Sequence, residues 1–282
     1  KIVFMGDSQL ELYTFIALRF ALGAVVILPF ALRESRTADE ALSHKTIYIF
    51  LGIGMVLFGA LVLQQIGIII TSVTNAGFLT GLYVVIVPGL ALILFRKHPH
   101  WSIWPASAGC LIGLFLLNGG SLNQVSTGDL WVIASAFFWA LHVVLVGIFA
   151  ARTGRPLTLA CIQFSAGAFL GLVGTILFEN PDLNEIFKFW PEILYSGAIA
   201  VGIAFTLQVV GQRHTHPADA AIILVLEMPF AALAAAYFLQ ERLDLLELLG
   251  CMIILFSVLI AELLPLINKF NRSFSKKRIK RG

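Results

Sequence analysis

Charge is scarce in this chain. Asp, Glu, Lys and Arg together make up 12% of its 282 residues, about half the share of a typical soluble domain. Apolar residues reach 59%, and the mean hydropathy is +0.92. A water-soluble fold is excluded, because so few charges cannot clothe a surface of this size. Cysteine is equally sparse: Cys110, Cys161 and Cys251 all fall within apolar runs. They offer neither a disulfide framework nor a metal cluster, and read as small buried packing residues. Catalytic signatures are missing too, with no His-Glu-x-x-His, no Gly-x-x-x-x-Gly-Lys-Ser/Thr and no nucleophile elbow. ATP-driven work by this chain alone is not expected, and no cofactor, metal or nucleic-acid partner is called for.

What the chain has instead is long apolar runs. A membrane-crossing helix needs roughly 20 apolar residues, and turn or charge clusters divide the sequence into nine such runs. They lie near Leu12 to Leu32, Ile47 to Ile69, Val73 to Phe95, Ile103 to Leu122, Leu130 to Ala151, Leu157 to Phe178, Ile193 to Gln212, Ala218 to Leu239 and Leu248 to Ile267. The fold class expected is all-α, a polytopic membrane helix bundle.

The runs are duplicated. Pro88 to Phe115 reappears 141 residues later at Pro229 to Phe256, with Pro88/Pro229, Ala91/Ala232, Gly109/Gly250 and Cys110/Cys251 identical. A second register of 144 residues pairs Thr14/Thr158, Phe20/Phe164, Gly23/Gly167, Gln64/Gln208 and Thr71/Thr215. The offset therefore drops by three, about one helical turn, between Leu79 and Pro88. Leu130 to Ala151 lacks a complete partner, so Lys1 to Gly6 reads as the tail of a first helix otherwise missing from this chain. The expected architecture is an inverted 5+5 helix repeat with nine spans present, since an odd number of spans per copy turns the second upside down. The expected division is residues 1–123 for the first copy, 124–267 for the second and 268–282 for a basic tail.

Loop charges give an independent test of that topology, because Lys and Arg accumulate on the cytoplasmic side. One set of connections carries fifteen cations, including Arg33, Arg36, Lys45, Arg96, Arg152, Arg155, Arg213 and the seven of the C-terminal tail; the other carries Lys188 and Arg242 alone. The C-terminus is thus expected in the cytoplasm. The tail serves either as a topology determinant or as a site for anionic lipid headgroups. Trp101, Trp104, Trp131 and Trp190 near span ends fit an interfacial belt.

Polar residues inside the spans are the site candidates. Glu227 lies near the middle of its run, where a carboxylate costs several kcal/mol unless paired, protonated or facing water. It is either a proton-coupling or substrate-amine site or a structural hydrogen-bonding group. Arg19 is the other deep charge, read as a cavity-facing or snorkelling cation and as a conceivable partner of Glu227. Gln64 and Gln208 hold equivalent places in the two copies, and Gln212 extends the stripe of Gln208 by four residues. They line a shared cavity or bond neighbouring helices. Trp139 and His142 are three apart and share a face, as an aromatic wall with one polar handle or as a satisfied structural imidazole. Tyr83 and Asn75 are weaker candidates of the same kind. Gly77/Gly81, Gly109/Gly113 and Gly167/Gly171 are Gly-x-x-x-Gly patterns for close helix packing or for a homodimer in place of a monomer.

Several of these residues also fall in recognisable motifs. Leu18-Arg19-Phe20, Gly128-Asp129-Leu130, Trp139-Ala140, Leu226-Glu227-Met228-Pro229 and Gln240-Glu241-Arg242-Leu243 stand in the order and spacing of the EamA-type permeases of the drug/metabolite transporter superfamily. The chain resembles that family over nearly its whole length, although the family usually has Glu and Pro adjacent where Met228 intervenes here. The resemblance implies ten helices in two inverted five-helix repeats. It also implies secondary transport, without ATP, of small metabolites such as amino acids or drug-like compounds. Export by alternating access around a central apolar cavity, in a bacterial inner membrane, would follow. Proton coupling is a candidate energy source. The classes opposed to it are a membrane-embedded scaffold and an intramembrane enzyme.

Overall fold

The computed structural model describes residues 11–38, 40–71, 73–96, 98–120, 126–238 and 242–279. Lys1 to Gly6, where the end of a further helix was expected, lie outside them, as do Gln240 and Glu241. Every regular element among the described residues is helical. Eight spans of 21 to 27 residues are long and apolar enough to cross a membrane, and a shorter apolar helix, Ile103–Leu117, stands at the fourth expected position. That helix stops short of the expected Leu122. Asn118 turns its amide back onto the Leu114 carbonyl at 2.8 Å, and Gly119 and Gly120 follow with φ of 85° and 66°, a left-handed exit that ends a helix.

The chain forms two compact units, one of Lys1–Ser72 with Ser126–Thr215 and the other of Val73–Val125 with His216–Gly282. Each therefore draws on both sequence copies. The first contains α1 (Leu12–Arg36), α2 (His44–Ile70), α6 (Thr127–Thr153) and α7 (Pro156–Phe178). After the short α8 (Leu183–Lys188) comes one span built of α9 (Trp190–Leu194), a π helix (Tyr195–Phe205) and α10 (Thr206–Gln212). The second contains α3 (Val73–Gly81), α4 (Tyr83–Phe95), α5 (Ile103–Leu117), α11 (Pro217–Leu224), α12 (Glu227–Phe238) and α13 (Leu245–Ile279).

The first unit is organised about the antiparallel pair α1 and α7, which the 144-residue register makes equivalent. Phe20 and Phe164, equivalent residues, meet with ring centroids 5.8 Å apart and planes tilted by 53°, so a local two-fold axis passes between them. The helix ends obey the same axis. Glu179, just past α7, accepts the N–H groups of Tyr13 and Thr14 at 2.6 and 2.8 Å and the Thr14 hydroxyl at 2.8 Å. At the opposite end Glu34 accepts the N–H groups of Leu157 and Thr158 at 3.2 and 2.7 Å and the Thr158 hydroxyl at 2.7 Å. Each helix thus caps its partner's start with a carboxylate, satisfying donors that an α-helix leaves open and opposing its positive dipole end.

The second unit repeats the logic with α5 and α13, equivalent by the 141-residue register. A Cβ on Gly113 would come 2.8 Å from the Gly250 carbonyl, and one on Gly250 would come 2.5 Å from the Gly113 carbonyl. The helices run antiparallel, Gly120 meeting Leu246 and Gly113 meeting its own equivalent, Ile254. Equivalent helices that pack in opposite senses are the signature of inverted copies. All three Gly-x-x-x-Gly patterns are used inside the units: Gly77 and Gly81 against Asn118 and Leu114, Gly109 and Gly113 against α13, Gly167 and Gly171 against Phe20 and Ala17 of α1.

Candidate functional site

Two spans that the sequence presents as continuous are broken. In the second unit, α3 gives way to α4 through a tight turn in which Leu82 N–H bonds the Leu79 carbonyl at 3.2 Å, and α11 gives way to α12 where Leu226 N–H bonds the Ile223 carbonyl at 3.0 Å. These turns are the same element in both copies, since Leu79/Ile223 and Leu82/Leu226 keep the 144-residue register. The three residues by which the register shrinks lie after the turn and before Pro88 or Pro229. Apolar periodicity carries no mark of such a break, because the residues on both sides of it are equally apolar.

Glu227 is the first residue of α12, next to the break, with its side chain exposed. A carboxylate there opposes the positive end of the helix dipole, and Pro229 in the first turn has no N–H to leave unpaired. The sequence register at Pro88/Pro229 assigns Glu227 an apolar counterpart, Ile86; the structure corrects this, because the break pairs it with Tyr83, the first residue of α4. The Tyr83 phenol is half-buried and within electrostatic range of the Glu227 carboxylate. Asn75 lies buried and engaged on α3, 3% exposed. Pro88 removes the donor that would have bonded the Val84 carbonyl, and Ser107 of α5 supplies one at 3.2 Å. Ser107→Ala is expected to destabilise the protein by about 1–2 kcal/mol in detergent unfolding, the usual cost of a bare buried carbonyl.

The first unit holds the remaining candidates. Arg19 places its guanidinium 5.5 and 5.2 Å from the Phe15 and Phe20 ring centroids, while its Nε is buried without a partner. The helix thus gives it aromatic faces in place of a carboxylate. Arg19 and Glu227 belong to different units. Trp139 and His142 do share a face of α6, their rings edge to face at 6.0 Å. His142 Nε2 lies 3.0 Å from Gln163 Oε1 on α7, a partner that sequence reasoning did not name, although Gln163 is the register equivalent of Arg19. Gln64 is half-buried and engaged, Gln208 is half-buried and Gln212 is buried.

One motif proves architectural. Asp129 accepts the Ser126 N–H at 2.8 Å in a capping box and also accepts the Thr71 hydroxyl at the end of α2. A Cβ on Gly128 would sit 2.8 Å from the Thr71 nitrogen and 2.9 Å from the Gly67 carbonyl. Gly128-Asp129 is the seam between α2 and α6.

Paired, inverted spans broken at matched places are a known arrangement of transporters, and the sequence profile of the EamA-like transporter family matches residues 4–119 and again 126–263. The chain belongs to the EamA-like transporter family. It is 28% identical over 215 residues to an uncharacterized transporter of Archaeoglobus fulgidus, covering 75% of this chain and 67% of the relative. It is 24% identical over 267 residues to the uncharacterized transporter YyaM of Bacillus subtilis, covering 90% and 86%. It is 24% identical over 197 residues to an uncharacterized transporter of Methanothermobacter thermautotrophicus, 67% of this chain and 57% of that protein. A solved crystal structure shares the fold with a TM-score of 0.73 at 20% identity, over 90% of this chain and 88% of the other. EamA membership and the transporter relatives place the chain in a multi-pass membrane transporter family and point away from an enzyme.

Proposed function

We propose that this EamA transporter exports small metabolites, of the amino-acid or drug-like class, by alternating access, with Glu227 as the coupling or substrate-amine site. The observation that carries the reading is the matched pair of helix breaks, with Tyr83 and Glu227 as the first residues beyond them. Non-helical backbone inside a membrane segment is tolerated where it is buried in protein or faces water. Half-helix ends at such breaks bind substrates and ions in inverted-repeat carriers. An ionisable residue at one of them is a functional group by default.

Arg19 is the deep cation of the spans, a single positive charge that disfavours phosphorylated substrates and favours a zwitterionic or apolar one. The fifteen-to-two loop bias supports a cytoplasmic C-terminus in a bacterial plasma membrane. An inverted repeat, with copies at 1–123 and 124–267, belongs to this reading.

Profiling a metabolite library in proteoliposomes, with and without a pH gradient, tests it. The expected result is saturable flux of a narrow set of solutes that rises when protons flow against the substrate. Flux absent for every solute, from protein that remains folded, would favour the scaffold reading; covalent change of a solute would favour an intramembrane enzyme.

A further inference from the structure

The first unit contains a run of uncharged polar atoms that the transport reading leaves unused. On α6 and α7, His142 Nδ1 and Gln163 Nε2 point away from their mutual hydrogen bond and are buried without partners, and so is the indole Nε1 of Trp139 one turn back. The Trp139 ring stands 6.1 Å from that of Phe205, the last residue of the π helix. The hydroxyl of Thr206, the first residue of α10, is buried and unpartnered, and six residues on both amide atoms of Gln212 are too. The four side chains of His142, Gln163, Thr206 and Gln212 are 3%, 0%, 5% and 3% exposed.

The three helices that carry these residues adjoin one another. α10 packs on both α6 and α7. A Cβ at Gly154, where α6 ends, would lie 3.6 Å from the guanidinium of Arg213, the residue after α10. α10 therefore accompanies α6 from the level of Trp139 to the arginine-rich end of the unit. A π helix, rare and concentrated at functional positions, opens directly into this stretch.

Buried polar atoms are nearly always satisfied, by protein or by ordered water, and each bare one costs about 1–3 kcal/mol. Six unsatisfied atoms on three adjoining helices call for a guest. None of the five residues carries a fixed charge, so the set does not suit an ion. Trp139 and the Gln163 amide donate, Gln212 offers an acceptor as well as donors, and Thr206 does both. His142 Nδ1 accepts when Nε2–H donates to Gln163, and donates when the ring tautomer and amide are reversed. A molecule that donates and accepts at once, and that fits between packed helices, satisfies all of them. That molecule is water, which commonly fills such sites with two to four hydrogen bonds.

We propose that Trp139, His142, Gln163, Thr206 and Gln212 bind a file of ordered water molecules that enters the first unit at its arginine-rich end and terminates on the His142–Gln163 pair. The assignment does not depend on the transport reading. Millisecond radiolytic hydroxyl-radical footprinting of the full chain in lipid nanodiscs tests it, since radicals form from bound water beside the residue they oxidise. After correction for intrinsic reactivity, His142 should be oxidised about tenfold faster than Phe50 and Phe164, fully buried aromatics of the same unit. Protection of His142 equal to that of Phe50 in the unaltered protein would overturn the proposal. In the Thr206→Val, Gln212→Leu double variant, His142 oxidation should fall to the Phe50 level while exposed Tyr48 keeps its rate. Unchanged His142 oxidation in the folded double variant would show entry by another route and sink the file as drawn. If that variant does not fold, the measurement on the unaltered chain still decides.

Discussion

Glu227→Gln should lower gradient-driven flux about a hundredfold, the scale expected when an intramembrane ionisable group that takes part in coupling is lost, while the melting temperature stays where it was. The side chain is exposed and begins a helix, so the amide keeps the volume and one acceptor, and packing has no reason to change. What the amide lacks is the ability to hold and release a proton, or to balance a substrate ammonium. Counterflow of substrate without a pH gradient separates the two roles. A proton site leaves exchange largely intact, whereas an amine site loses exchange and net flux together. Tyr83→Phe, which removes the hydroxyl at the matching break, should give a smaller loss of about tenfold. Full flux in Glu227→Gln would remove this residue from the coupling scheme without touching family membership. A fall in melting temperature with parallel loss of flux would mark it as structural.

The second large effect concerns stability. Glu34→Ala and Glu179→Ala should each destabilise the protein by about 2 kcal/mol, as expected for losing a charged helix cap with its hydrogen bonds. The two values should agree to within about 1 kcal/mol because both carboxylates bond two backbone N–H groups and one threonine hydroxyl. Glu→Gln should cost less at either site, since one acceptor oxygen remains. The caps stand at opposite ends of α1 and α7, far enough apart for the double variant to show a near-additive loss. Reversible unfolding in mixed micelles provides the measurement. A large cost at one site beside a negligible one at the other would mean that the two-fold relation does not extend to the helix ends.

These examples show where the sequence is readable. Span positions follow from composition, and duplication follows from identities such as Thr14/Thr158 and Phe20/Phe164. Opposite orientation of the copies is legible as well, because the positions that align are positions that meet. The Gly-x-x-x-Gly patterns announce close approach, though nothing in them names the neighbour, which for Gly113 is α13.

Other features are hidden for physical reasons. The carboxylates of Glu34 and Glu179 look like ordinary loop charges because the helix starts they cap lie more than a hundred residues away in sequence. His142 reads as a lone histidine until Gln163 is brought beside it by packing of α6 and α7. The helix breaks leave one trace, the three-residue change of register between Leu79 and Pro88. Read as an insertion, it hides the pairing of Glu227 with Tyr83; set beside the turns at Leu82 and Leu226, it reveals that pairing.

The contact of Phe20 with Phe164 has a consequence for how freely the two copies can differ. In a single-copy precursor, the same packing would join one phenylalanine to its twin on a second chain inserted the other way up, so a change there would have struck both sides of the contact at once. Two copies carried in one chain lift that constraint. Here Gly113 meets Ile254, one small and one large, and Arg19 differs in charge from its equivalent Gln163, while the phenylalanines match.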